Sequence, residues 1–155
     1  MTTRTYSDLI LLPTFLERYR YLRLGGNVGL ETFGHNRYLN QILYTSDRWR
    51  SFRDKIIIRD NGCDLGLDGY EIRGKILIHH MNPIRQQDIY DRILVHHINP
   101  ITVEDVLNEN PKVFDPDNVI CTSHNTHQAI HYGDENLLII EPAERFRNDT
   151  CPWKR

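Results

Sequence analysis

The chain is short of cysteine, of long apolar runs and of excess charge of either sign, and each shortage removes a class of protein. Only three cysteines, Cys63, Cys121 and Cys151, occur in 155 residues, and none belongs to a Cys-x-x-Cys pair. A four-thiolate zinc knuckle is therefore excluded, and widely spread thiols in odd number argue against a disulfide framework. The longest apolar runs, such as Leu137-Leu-Ile-Ile140, fall far short of the roughly 20 residues that span a bilayer as a helix. The first residues, Met-Thr-Thr-Arg-Thr-Tyr, contain no apolar stretch resembling a secretion signal, so a cytoplasmic protein without membrane association is expected. A formal net charge of −2 removes proteins that coat nucleic acid by global attraction.

What is present suits a globular α+β domain. Hydrophobic residues make up 39% and charged residues 26%, and the length fits one domain with its own core. No linker divides the chain, so a single domain over 1–155 is expected: a helical part at 1–60, a core at 63–133 and a tail at 134–155. Thr14 can cap a helix carrying Phe15, Leu16, Tyr19 and Leu22 at helical spacing, stopped by Gly25-Gly26. A second short helix is predicted from Asn36 to Tyr44. Ser46 caps a third, in which Trp49, Phe52 and Ile56 form a buried stripe and Asp60-Asn-Gly62 ends the run. That helix gathers Arg48, Arg50, Arg53, Lys55 and Arg59, a local basic run in a chain without global basic excess. Such a run is either an ordinary solvated face or a nucleic-acid contact. Arg48, Arg50, Arg53 and Lys55 are the candidates for the second role.

Beyond residue 63 the pattern changes. Tyr70-Glu-Ile72, Arg73-Gly74 and Lys75-Ile-Leu-Ile78 read as strand, tight turn and strand, the second running into His79-His80. Asn118-Val-Ile-Cys121 reads as another short strand, and Thr126 to Tyr132, closed by Gly133, as a helix. The run Lys75-Ile-Leu-Ile-His-His-Met-Asn-Pro-Ile84 returns as Arg92-Ile-Leu-Val-His-His-Ile-Asn-Pro-Ile101, offset by 17 residues. A local tandem duplication, rather than a solenoid, explains one such repeat. Its consequence is two His-His pairs.

Seven of the eight histidines lie between residues 79 and 131: His79, His80, His96, His97, His124, His127 and His131. A lone histidine is ordinarily a satisfied polar side chain. Seven at strand ends and on one helix are hard to attribute to packing, because a buried imidazole needs partners. Imidazole is also the commonest metal ligand and a general base near neutral pH.

The order His-His, Asn118, His127 resembles the HNH endonucleases of the ββα-metal fold. The likeness is carried by Ile78-His-His-Met-Asn-Pro83 or its copy Val95-His-His-Ile-Asn-Pro100, then Asp117-Asn-Val-Ile120 and Thr126-His-Gln-Ala-Ile-His-Tyr-Gly133, with nine residues from Asn118 to His127. The flanks Arg59-Asp-Asn-Gly-Cys-Asp-Leu-Gly66 and Asn148-Asp-Thr-Cys-Pro-Trp153 look like small HNH proteins encoded by bacteriophages. The resemblance implies N-terminal helices followed by a short antiparallel hairpin and a helix. It also implies a DNA endonuclease, nicking or cutting both strands, with a role beside phage terminase in a bacterial host. It assigns the first histidine of the pair and His127 to a divalent metal, Mg²⁺ or Mn²⁺ with Zn²⁺ or Ni²⁺ as alternatives, and the second histidine to base work. Asn118 would hold the base in place across a loop. His131, one turn after His127 on the same face, would add a ligand or a phosphate contact.

Two departures stand out: the zinc-binding cysteines of many family members are absent, and one slot has two candidate pairs. His97 lies 21 residues before Asn118, as in the family, and His80 lies 38 before it. The hairpin through Arg73-Gly74 favours His79 as ligand and His80 as base. On that expectation Ile84, Asp88-Ile89 and Ile93 continue one helix through His97, and His96 and His97 are the alternative ligand and base. A catalytically inactive DNA-binding or packaging protein on the same fold is the rival reading, and a structural zinc module a weaker one.

Overall fold

The computed structural model describes residues 3–24, 37–72 and 93–142. Its fold is α+β: several helices around a two-stranded antiparallel sheet. Helix α1 (Tyr6–Leu9) is followed by α2 (Phe15–Leu22), whose N-cap Thr14 and N3 residue Glu17 form a reciprocal capping box. Helices α3 (Arg37–Thr45) and α4 (Asp47–Arg59) follow, and the Ser46 side chain caps α4 by accepting from the Trp49 N–H. The expected stripe is there: Trp49 and Ile56 are buried and Phe52 packs half-buried beside them. Gly25-Gly26 and the start of the expected helix at Asn36 lie outside the described residues.

Strand β1 (Leu94–His97) pairs with β2 (Val119–Thr122), setting His96 opposite Ile120 and His97 opposite Val119. This corrects the expectation of a helix running on through His97. Ile93-Leu-Val95 is apolar and β-branched at two of three positions, a run whose periodicity suits helix or strand. The long-range ladder to Val119-Ile-Cys-Thr122 settles it as strand. Glu71, expected in a hairpin, makes an isolated antiparallel bridge to Cys63. The turn at Arg73-Gly74 and the pair His79-His80 lie outside the described residues. The strands are joined by residues 98–118, which hold α5 (Val103–Leu107) and two single 3₁₀ turns. Helix α6 (His124–Tyr132) leaves β2 directly, capped by Ser123 and closed by Gly133 in the left-handed conformation at φ 70°.

Three apolar clusters hold this frame. Leu9, Phe15, Tyr19 and Leu22 pack with Leu65, Ile98, Ile120, Ala129 and Ile130, seating α6 on α2 and β2. Ile56 and Ile57 of α4 meet Ile93, Val119 and Cys121 beneath the sheet. Leu43 of α3 meets Ile101 and Val113 in the β1–β2 connection. Two buried acids tie β2 in place: Asp60 accepts from the Cys121 N–H at 2.9 Å, and Asp64 from the Ser123 N–H at 3.1 Å. Gly66 passes close under the sheet with φ +60°, and a Cβ there would meet Ile120 Cδ1 at 3.3 Å. No helix among the described residues is long and apolar enough to cross a membrane.

Candidate metal centre

Strand alternation separates the two neighbouring histidines of β1. His96 turns to α6, where its ring centroid lies 5.1 Å from that of His127 and 5.0 Å from that of His131. His127 and His131 are one helical turn apart, with centroids separated by 4.4 Å and Nε2 atoms by 3.2 Å. One ring nitrogen of each histidine lies within 4.8 Å of the others, and no carboxylate joins the group among the described residues. His96 is buried, and its Nε2 has no hydrogen-bond partner; neither does Nδ1 of His131.

This donor set fits a divalent cation. A buried imidazole nitrogen without a partner is costly unless something takes its lone pair. Two nitrogens on one tetrahedral ion at about 2.0–2.1 Å stand about 3.4 Å apart, close to the His127–His131 spacing. The electrostatics agree. Burial pushes the His96 pKa well below its ordinary value, and the neighbouring His127, His131 and His97 push it further. His127 falls to about 4, by burial first and then by His131 and His124, and burial also lowers His131. All three rings are thus neutral at neutral pH, as metal ligands must be. Zn²⁺ or Ni²⁺ suits three nitrogens without a carboxylate better than Mg²⁺, which prefers oxygen.

His97 faces the other way and is held on two sides. Its ring stacks on Trp49 at 5.5 Å between centroids, and its Nε2 lies 3.0 Å from the Val113 carbonyl. A carbonyl can only accept, so Nε2 carries the proton and Nδ1 keeps the lone pair. Burial lowers the His97 pKa against the opposing pull of that hydrogen bond, leaving the ring neutral. Asn118 secures the same loop. Its Oδ1 accepts from the Asn99 backbone N–H at 3.0 Å, and its Nδ2 donates to the Lys112 carbonyl at 3.1 Å, one residue before the acceptor of His97. Asp105 accepts from Lys112 Nζ at 2.6 Å and from the Thr102 N–H at 2.7 Å, closing the loop from its other end. Burial alone would raise the Asp105 pKa, but those hydrogen bonds prevail and lower it.

The structure therefore brings His127 and His131 to His96, with His97 and Asn118 alongside. The basic helix is more varied than its sequence suggests. Arg48 is exposed, with its guanidinium 4.1 Å from the Phe114 ring centroid. Arg50 pairs with Asp47 and Arg53 with Asp54, while Arg53 also donates to the Ile93 carbonyl at 3.3 Å. Lys55 is exposed. Arg59 turns inward to Asp60 at 2.7 Å. Sequence reasoning passed over Asn99, Asp105 and the carbonyls of Lys112 and Val113. Only the Asn-Pro that follows each His-His pair hinted at the first. No family model, characterised protein or solved structure matches this chain.

Proposed function

We propose that this protein is a metal-dependent DNA endonuclease of the HNH type, with His96, His127 and His131 as ligands and His97 as general base. The observation that carries the proposal is the convergence of three neutral imidazoles beside a fourth whose Nε2 is tied to a backbone carbonyl. The roles go to the second His-His pair because His96 meets His127 and His131 of α6 while His97, on the opposite face of β1, is held by Val113; His79-His80 lies outside the described residues. A bound divalent ion would supply Lewis acidity to a phosphodiester and to its leaving oxygen. His97 Nδ1 takes a proton from the attacking water as the water oxygen bonds to phosphorus and the bond to the 3′ oxygen breaks. Asn118 touches neither water nor substrate; it holds the carbonyl segment that orients His97. DNA as substrate is supported by the family resemblance and by the cationic face of α4. Resemblance alone adds the phage setting, a bacterial host cytoplasm and a role beside terminase.

The test is plasmid nicking by Ni²⁺-, Zn²⁺-, Mn²⁺- or Mg²⁺-loaded protein, with EDTA as control. We expect cleavage that EDTA abolishes, and that His127→Ala loses together with metal binding. His97→Ala should keep the metal and lose about 10²–10⁴-fold in rate. A wild-type protein that binds the ion yet nicks no DNA with any of the four metals would overturn the proposal.

A further inference from the structure

The side-chain amide of Asn99 is fixed at both ends by one residue of the N-terminal segment. Its Oδ1 accepts from the Arg4 backbone N–H at 3.1 Å, and its Nδ2 donates to the Arg4 carbonyl at 2.7 Å. Flipping the amide would put donor against donor and acceptor against acceptor, so its orientation is determined. The other hydrogen of Nδ2 goes to Asn118 Oδ1 at 2.7 Å. With Oδ1 engaged there, Asn118 presents its own Nδ2 to the Lys112 carbonyl, and the next carbonyl, of Val113, holds His97. Arg4 is itself anchored, because its guanidinium donates to the Leu22 carbonyl at 3.1 Å and the Arg23 carbonyl at 3.4 Å, where α2 ends.

We infer that Asn99 is a positioning residue for the hydrolysis, and that the N-terminal segment through Arg4 orients His97 by way of Asn99 and Asn118. The inference rests on the nuclease reading for its effect on rate; the ordering of the His97 ring is separately measurable. Asn99 donates to Asn118 Oδ1 and Asn118 donates in turn to the Lys112 carbonyl, so reversing the first amide sets an acceptor against an acceptor and disturbs the second. Asn99→Asp keeps the shape of the side chain. It sets an acceptor where a donor faced both the Arg4 carbonyl and Asn118 Oδ1. The ligands His96, His127 and His131 take no part in the relay.

The experiment uses the full chain and three readouts: solvent exchange of the His97 Nε2–H by NMR, Ni²⁺ affinity by calorimetry, and plasmid nicking. Asn99→Asp should speed the exchange and slow nicking by about 10–100-fold, with Ni²⁺ affinity unchanged. Arg4→Ala leaves Asn99 intact but frees its anchor, and should shift exchange and rate the same way by a smaller factor. Wild-type exchange and rate in Asn99→Asp would overturn the inference, as would a loss of Ni²⁺ affinity as large as the loss of rate. Should Asn99→Asp lack a cooperative thermal transition, Arg4→Ala decides alone, and wild-type exchange there overturns the idea. A wild-type protein that nicks nothing refutes the nuclease reading, and the exchange comparison then decides the inference by itself.

Discussion

Burial lowers the pKa of His96, His127 and His131, and neighbouring imidazoles lower His96 and His127 further, so the rings are uncharged at neutral pH, which suits a cation but burdens the metal-free fold in acid. An unfolded histidine titrates near its ordinary pKa of about 6.5, whereas folded His127 titrates at about 4. The unfolded chain therefore binds protons first as pH falls, so this stability is complete above about 6.5 and drains away towards 4. With chelator present, the melting temperature should be level above pH 7 and decline through that window. His127→Ala should flatten the decline; an unchanged slope in the variant would show that His127 does not contribute. At this scale the types of the candidate site residues were legible, because clustered imidazoles and their spacing stand out in the sequence. The choice between pairs stays open, since His79-His80 lies outside the described residues. Ile-Leu-Ile-His-His and Ile-Leu-Val-His-His are nearly the same string, and only contact with residues more than twenty positions away distinguishes such copies.

Among elements, those with local signals were readable: Thr14 and Ser46 cap the helices that the sequence predicts, and Gly133 closes α6. Strand β1 was not, since an apolar β-branched run takes its conformation from the partner it meets. The acids beneath the sheet left no local signal either, because burial of a carboxylate depends on partners far along the chain. Asp60 receives Arg59 at 2.7 Å and the Cys121 N–H at 2.9 Å with its side chain fully buried, so it joins α4 to β2. Removing one member of a buried pair strands the other's charge. Asp60→Asn should cost about 3–5 kcal/mol in denaturant unfolding. A loss under about 1 kcal/mol would mean that Arg59 is satisfied by the Pro116 and Val119 carbonyls alone.

For the molecule as a whole, cationic surface matters more than net charge. Arg48 holds its guanidinium over Phe114, next to the residue whose carbonyl binds His97, while Arg53 is engaged with Asp54 and Ile93. Each phosphate contact contributes about 0.9 to the slope of log affinity against log salt. Arg48→Gln should therefore lower the slope of DNA binding by about 1 and leave metal affinity alone, and Arg53→Gln should lower it less. Equal slopes in wild type and Arg48→Gln would make α4 an ordinary solvated helix.

The centre takes His96 from a strand and His127 and His131 from the helix beyond that strand's partner. An ion seated there is a removable cross-link, closing a stretch of chain whose ends are 31 residues apart, His96 and His127. A ligand at a hundred times its dissociation constant stabilises the folded state by about 2.7 kcal/mol. At about 2–4 °C per kcal/mol for a chain of this length, Ni²⁺ should raise the melting point by about 5–11 °C in a scanning fluorimeter. His127→Ala should lose that rise, and no rise in the wild type would refute the donor set. With such an ion bound, melting would include a dissociation, and the free ion in the surroundings would set how much heat the protein withstands before the strand and the helix part.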